Sequence, residues 1–327
     1  MTKSAPQEMK TLRVESYGPP ADVLKLDVAP VPTPGAGRIR IRVHACAFNP
    51  ADWAVCEGFL PLPAPRGIGF DVSGTVDAIG EGVFDVQVGD LVFGVPDYIG
   101  YQTAGASEYV VLKVWIPVPK GLDLVHAASL PMAVETATRS IDLLGLSKGQ
   151  TIMINGGGTM TGFAAVQIAL LRGARVVTSA GDTFAERLRL LGAKVTPYGK
   201  GMVERVRDIA GGPVDLALHT ARVKGGLPDL VKIVGGDPKR VMSFSDFDED
   251  GIGVRTTGRE RSGVHRYDVL GEYAQLAADG RFTIPIARTF TWDNWSEAVE
   301  LSMAGRAHGK LVLVIDQGAA AATTADS

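Results

Sequence analysis

The chain has 327 residues, 46% of them hydrophobic, and a formal net charge of −3. That length is long for one core, so two domains are expected, and the apolar content suffices to bury both. The 33 basic and 36 acidic residues are dispersed, which excludes a basic stripe for nucleic acid or an anionic membrane surface, and no apolar run approaches the roughly 18 residues of a membrane span. The expected partner is therefore a small molecule. MTKSAPQEMK carries no apolar signal-peptide core, so the expected location is the cytoplasm.

Residues 1–8 are polar and contain Pro6, and QGAAAATTADS runs from Gln317 to the end; both are expected to be flexible. From Leu12 to about Pro119, short alternating or β-branched runs are broken by Gly and Pro: RIRIRVHACAF, DVSGTVDAIG, DLVFGV and SEYVVL. Such runs predict a compact, mostly β domain over 9–125. Cys46 and Cys56 are the two cysteines, without metal-ligand spacing; they read as reduced, buried thiols, and no metal is expected.

Beyond residue 125 helices and strands alternate. The spacing of Leu130, Val134, Ala137, Ile141 and Leu144 predicts one helix from His126 to Leu144, stopped by Gly145. TIMIN at 151–155 reads as a buried strand, FAAVQIALL as a helix and ARVVTS as a second strand; VDLALH and RVMSFS continue the series. Near-continuous apolar strands between helices predict an α/β domain over 126–282 whose parallel sheet is covered on both faces. Residues 283–316, with a helix at Trp295–Met303 and the strand LVLVI, are expected to return to the first domain. The five histidines stand alone, with no G-x-S-x-G beside any of them. Arg255, Arg259, Arg261 and Arg266 flank a polar loop that reads as solvated charge or as a cover over an anionic ligand.

Between TIMI and the following helix lies NGGGTMTG, residues 155–162. A dinucleotide turn needs a glycine where the chain leaves the strand, one where backbone approaches the pyrophosphate, and one where helix meets strand. Gly157, Thr159 and Gly162 fall at those places, so the middle one is wrong. Strand, loop, helix and second strand occupy 151–179, close to the length of a βαβ unit. Where an NAD site carries an acidic residue for the ribose, this chain has Ser179 and Ala180, with Asp182 three residues after Ser179. Without that carboxylate NADPH is favoured over NADH, although Asp182 keeps both open.

FNPADWAVCEG, GFDVSGTVDAIGEGV, VGDLVFG, SEYVVL, HAASLPMAVETA and AAVQIALLRGARV occur in that order. Together they resemble the medium-chain dehydrogenase/reductase superfamily, in its zinc-independent quinone oxidoreductase branch, over residues 9–315. The resemblance implies a Rossmann doubly wound parallel sheet inserted into a GroES-like, mostly β domain, and a homodimer. It implies hydride transfer from NADPH to a quinone or an α,β-unsaturated carbonyl, with an enoyl-thioester or biosynthetic enoyl reductase as the alternative. A non-catalytic binding module that keeps the fold is the alternative of another class. At the positions that bind catalytic zinc in other members stand Asn49, Phe70 and Asp71. By the same resemblance Asn49 is the catalytic side chain, orienting the carboxamide or hydrogen-bonding the substrate carbonyl. Cofactor contacts are expected from Thr136, Gly157, Gly158, Thr159, Met160, Thr161, Gly162, Ser179, Tyr198, Ser245 and Lys310. Trp53, Phe59 and Leu60 are expected to wall the substrate pocket. Where many relatives have a tyrosine, proposed as proton donor, this chain reads Gly58-Phe59-Leu60, and the proton is left to water.

Overall fold

The computed structural model describes residues 6–221, 223–248, 251–257 and 264–316. The chain forms two compact units, Met1–Met132 with Val269–Ser327, and Ala133–Asp268. No helix among the described residues is long and apolar enough to cross a membrane. Arg259, Arg261 and part of the acidic run after Ser245 lie outside the described residues.

In the second unit six parallel strands run in the order Lys194–Thr196, Arg175–Ser179, Thr151–Asn155, Leu216–His219, Val241–Ser243, Arg255–Thr256. Counted along this unit the order is 3-2-1-4-5-6, the doubly wound arrangement whose ligand crevice opens at the carboxyl ends of the strands beside the first. Thr151–Asn155 is buried throughout, as a central strand between helical layers must be. The helix that follows, Met160–Leu171, is apolar nearly all round and buries eight consecutive residues from Gly162 to Ala169.

The helix expected from His126 to Leu144 is two helices, Leu124–Ala128 and Pro131–Leu144. Pro131 has no N–H to give, so the ladder is interrupted there. Asp123 caps the first helix by accepting from His126 N.

The first unit holds a six-stranded sheet in the order Ile286–Phe290, Lys310–Val314, Ile39–Phe48, Asp71–Ile79, Leu91–Pro96, Tyr109–Pro117. Tyr109–Leu112 pairs back onto Ile39–Arg42, so four of these strands close on themselves. A hairpin of Glu8–Val14 and Leu24–Pro30 joins Arg66–Gly67 in a second sheet. Glu8, expected in a flexible end, is therefore in a strand, because its backbone faces Pro30 across that hairpin. The helix Leu270–Ala278, expected with the α/β domain, belongs to the first unit. Leu12, Ile39, Ile41, Val43, Val72, Val92 and Leu112 are fully buried together in its core.

Candidate functional site

The strand Thr151–Asn155 leaves the sheet through three glycines, and Thr159 is the N-cap of the helix Met160–Leu171. Three glycines of this turn admit no side chain. A Cβ on Gly156, whose φ is +99°, would lie 2.7 Å from the backbone nitrogen of Ala221; on Gly157 it would lie 2.2 Å from Thr178 Oγ1; on Gly162, 2.2 Å from the Gly156 carbonyl oxygen. The close-approach glycines are thus 156, 157 and 162, and nothing is missing at 159. Gly156, which the sequence pattern passed over, is the residue that leaves the strand. Its position directly after the strand TIMIN was the available signal.

Thr159 Oγ1 accepts from Gly162 N at 3.0 Å and donates to the Gly156 carbonyl at 3.0 Å. Its hydroxyl is spent on holding the turn. Gly156 N donates to Ser179 Oγ (3.0 Å), Ser179 donates to Asn155 Oδ1 (2.5 Å), and Asn155 Nδ2 donates to His219 Nδ1 (3.0 Å). That chain makes Nδ1 the acceptor and leaves the His219 proton on Nε2, while burial lowers the pKa of the ring and keeps it neutral. Gly157 N and Thr159 N are bonded to the Ser179 and Gly156 carbonyls. The N–H groups of Gly158, Met160 and Thr161 are left at the positive end of the helix, where an anion such as a pyrophosphate is favoured. The three glycines let the turn pack against Ala221, Thr178 and its own carbonyl, and the free N–H groups are what a dinucleotide's pyrophosphate would meet.

Of the other expected cofactor residues, Ser179 ends the strand Arg175–Ser179 beside the turn and is buried and bonded as above. Ser245 donates to the carbonyl of Ala221, whose own N–H is bonded to the carbonyl of Asn155 at the end of the strand before the turn. Tyr198 is exposed and its ring stands 3.7 Å from where a Cβ of Gly181 would be, just beyond the second strand. Thr136 is on Pro131–Leu144 and donates to Glu135; no bond ties it to the turn. Asn155, Thr178, His219 and Thr220 were missed, because each is recognised only through the neighbour that the parallel register supplies.

In the first unit the register explains a second cluster. Phe48 pairs with Leu311, and Ala47 pairs with both Asp71 and Val312, so Asn49 emerges between Asp71 and Lys310. Lys310 Nζ donates to Asn49 Oδ1 (2.5 Å) and to Asp71 Oδ2 (2.9 Å), and Asn49 Nδ2 donates to Asp71 Oδ2 (2.9 Å). Asp71 Oδ1 accepts from Met132 N at 3.0 Å. Nearby, Asp52 accepts from Asn49 N (2.6 Å) and Gly69 N (2.7 Å). Full burial, reinforced by the charge on Asp71 and opposed by those two N–H groups and by Lys310, raises the Asp52 pKa to about 7.

This geometry changes two assignments. Lys310, expected at the cofactor, is 3% exposed and its ammonium is an internal counter-ion. Asn49 directs its Nδ2 protons at Asp71 and, at 3.3 Å, at the Ala47 carbonyl, so it has no donor left for a substrate oxygen. Trp53 is buried and donates to Ser302 Oγ, Phe59 is 62% exposed, and Leu60 lines a small cavity; the three do not form one wall. Cys46 and Cys56 are free and buried, and burial pushes the Cys56 thiol up to about 12, which makes it a poor nucleophile at neutral pH. Zinc does not fit here. Its expected donors are replaced by an amide, Phe70 and a single carboxylate, and a lysine cation already sits between the amide and that carboxylate.

Residues 35–120 match the family described as alcohol dehydrogenase GroES-like domain, and residues 191–313 the family described as zinc-binding dehydrogenase. Over 233 residues the chain is 30% identical to a chloroplast envelope quinone oxidoreductase homolog of Arabidopsis thaliana, covering 67% of this chain and 69% of that protein. It is 32% identical over 223 residues to a 2-methylene-furan-3-one reductase of Solanum lycopersicum, covering 63% of this chain and 56% of that one. Among solved structures, the quinone oxidoreductase from Coxiella burnetii superposes with a TM-score of 0.81 at 26% identity, covering 94% of this chain and all of the other.

Proposed function

Since the chain belongs to the medium-chain dehydrogenase/reductase superfamily, in its quinone oxidoreductase-like branch, we propose that it transfers hydride from NADPH to a quinone or an α,β-unsaturated carbonyl compound. It is an oxidoreductase that uses a nicotinamide cofactor; the phosphate of that cofactor and the identity of the acceptor are the proposed part. The observation that carries this is the turn at Gly156–Gly162, where three glycines without room for a Cβ shape the loop and Gly158, Met160 and Thr161 keep their N–H groups free at a helix start. The names of the Arabidopsis and Solanum relatives support the two acceptor classes.

Gly158, Met160 and Thr161 would hold the pyrophosphate through their N–H groups, Tyr198 would flank the adenosine end, and Ser245, beyond the fifth strand, would lie on the other side of the pyrophosphate. A bound nicotinamide supplies the hydride, and water supplies the proton that completes the reduction. With its donors spent, Asn49 serves through Oδ1, as an acceptor for the carboxamide; Lys310 and Asp71 fix the amide so that this oxygen cannot rotate away. The protein's contribution is position rather than acid catalysis, since Phe59 and Leu60 offer no proton. As further proposals we take the enzyme to be a cytoplasmic homodimer.

Loss of nicotinamide absorbance should follow addition of a quinone or an enone to protein and NADPH, with NADH a poorer donor. No oxidation of either cofactor by quinones, enones or enoyl thioesters would overturn the proposal.

A further inference from the structure

Beneath the segment from Leu60 to Leu62 the first unit leaves a cavity of about 10 Å³. Val55, Ile68 and Ala104 form its floor and are buried, whereas Leu60, Leu62, Phe70 and Tyr98 form its rim and are all partly exposed. The space is thus closed below and borders the surface above. Floor and rim are both tied in place. Gly67 N donates to the Gln102 carbonyl at 2.7 Å, and Gly105 N and Ala106 N donate to the carbonyls of Gly69 and Ile68, both at 2.9 Å. The rings of Phe70 and Tyr98 meet edge to face at 4.7 Å, and the Tyr17 hydroxyl holds the carbonyls of Leu60 and Leu62. The cavity is preformed, so a group of its own size needs no movement of the chain to enter it.

The chemistry of the wall selects that group. A space of this size holds about one small group, and holds it as water only where polar partners converge. The polar atoms of the wall are engaged elsewhere: Gly69 N donates to Asp52 Oδ1, Arg66 Nη1 donates to the carbonyls of Tyr98 and Tyr101, and Arg66 Nε is buried out of reach of water. What faces the space is almost only carbon, which favours an apolar occupant no larger than about a methyl group. Its place in the unit matters as well. Gly69 N in the cavity wall and Asn49 N donate to the same Asp52 carboxylate, at 2.7 and 2.6 Å. One carboxylate therefore separates the cavity wall from the residue that would seat the nicotinamide carboxamide.

We propose that this cavity is a specificity pocket for one methyl group of the reducible compound, which makes the acceptor a methyl-substituted quinone or enone. The claim about the reaction rests on the hydride-transfer reading above; the claim that a methyl group fills the cavity does not.

Calorimetric titration with hydroquinone, methylhydroquinone and tert-butylhydroquinone tests the pocket without requiring hydride transfer. Methylhydroquinone should bind about four-fold more tightly than hydroquinone, the worth of one buried methyl-sized group. The tert-butyl compound exceeds the space and should bind no better than hydroquinone, whereas hydrophobicity alone would make it the tightest of the three. Ala104→Val fills the cavity from its floor and should erase the methyl preference. Leu60→Phe fills it from the rim and decides the matter if the Val variant does not fold. Equal binding of hydroquinone and methylhydroquinone, tightest binding of the tert-butyl compound, or a methyl preference that survives in either folded variant would overturn the proposal. NADPH oxidation with 1,4-benzoquinone against methyl-1,4-benzoquinone separates the two claims. A methyl preference in binding without NADPH oxidation by quinones or enones leaves the pocket and removes the reductase. Oxidation by both quinones with equal KM, beside equal binding of the two hydroquinones, removes the pocket and leaves the reductase.

Discussion

Thr159 has the part of a helix cap, not of a misplaced glycine. In sequence the two look alike, because cap and close-approach positions both take small residues; they separate only when the strand's last residue is known. Thr159→Ala should lower stability by about 1 kcal/mol by freeing Gly162 N, while Thr159→Ser should change it little; thermal melts of the three proteins check this. Lys310 is a sharper case. Lys310→Met leaves the Asp71 carboxylate buried and unpaired, at a cost of about 3–5 kcal/mol, and adding Asp71→Asn should recover part of that loss. Urea unfolding of both single variants and the double variant measures the coupling, and simple additivity would contradict the paired assignment.

At the scale of elements, much of the second unit was legible because its strands are unbroken apolar runs. TIMIN forms the strand Thr151–Asn155 as expected, and in the first unit Trp295–Met303 is a helix as expected. What was not legible depended on pairing. Asn49 and Lys310 are 261 residues apart, and only the antiparallel register of Ile39–Phe48 with Lys310–Val314 brings them to 2.5 Å. Asp52 follows from the same convergence, since its two backbone donors, Asn49 and Gly69, come from separate elements. Its consequence is a pH dependence of stability. The pKa of Asp52 is raised from 3.8 to about 7 in the folded chain, so between those values the folded state holds a proton that the unfolded state has lost. This contribution falls as pH rises from about 4 to about 7 and is level above that. Other carboxylates such as Glu135, whose pKa is lowered against the pull of its own burial by Arg139, act in the opposite sense at lower pH. The comparison is therefore with Asp52→Asn. Its unfolding free energy, measured in urea from pH 5 to pH 8, should lack the component that falls toward pH 7, and the same pH dependence in both proteins would show that Asp52 is ionised throughout.

At the scale of the molecule, the chain is a dinucleotide-type parallel sheet inserted into a mostly β unit, and family membership agrees with that order of elements. The resemblance was readable because several short motifs recur in sequence order, whereas the details that distinguish this chain were not. The central claim is that the turn Gly156–Gly162 binds the cofactor, and titration with NADPH followed by nicotinamide fluorescence tests it most directly. The unaltered protein should bind NADPH saturably and more tightly than NADH, and Gly157→Val, whose Cβ would meet Thr178 Oγ1 at 2.2 Å, should abolish binding in a protein that still melts cooperatively. No binding of either nucleotide up to millimolar concentration, or unchanged affinity in that variant, would contradict it.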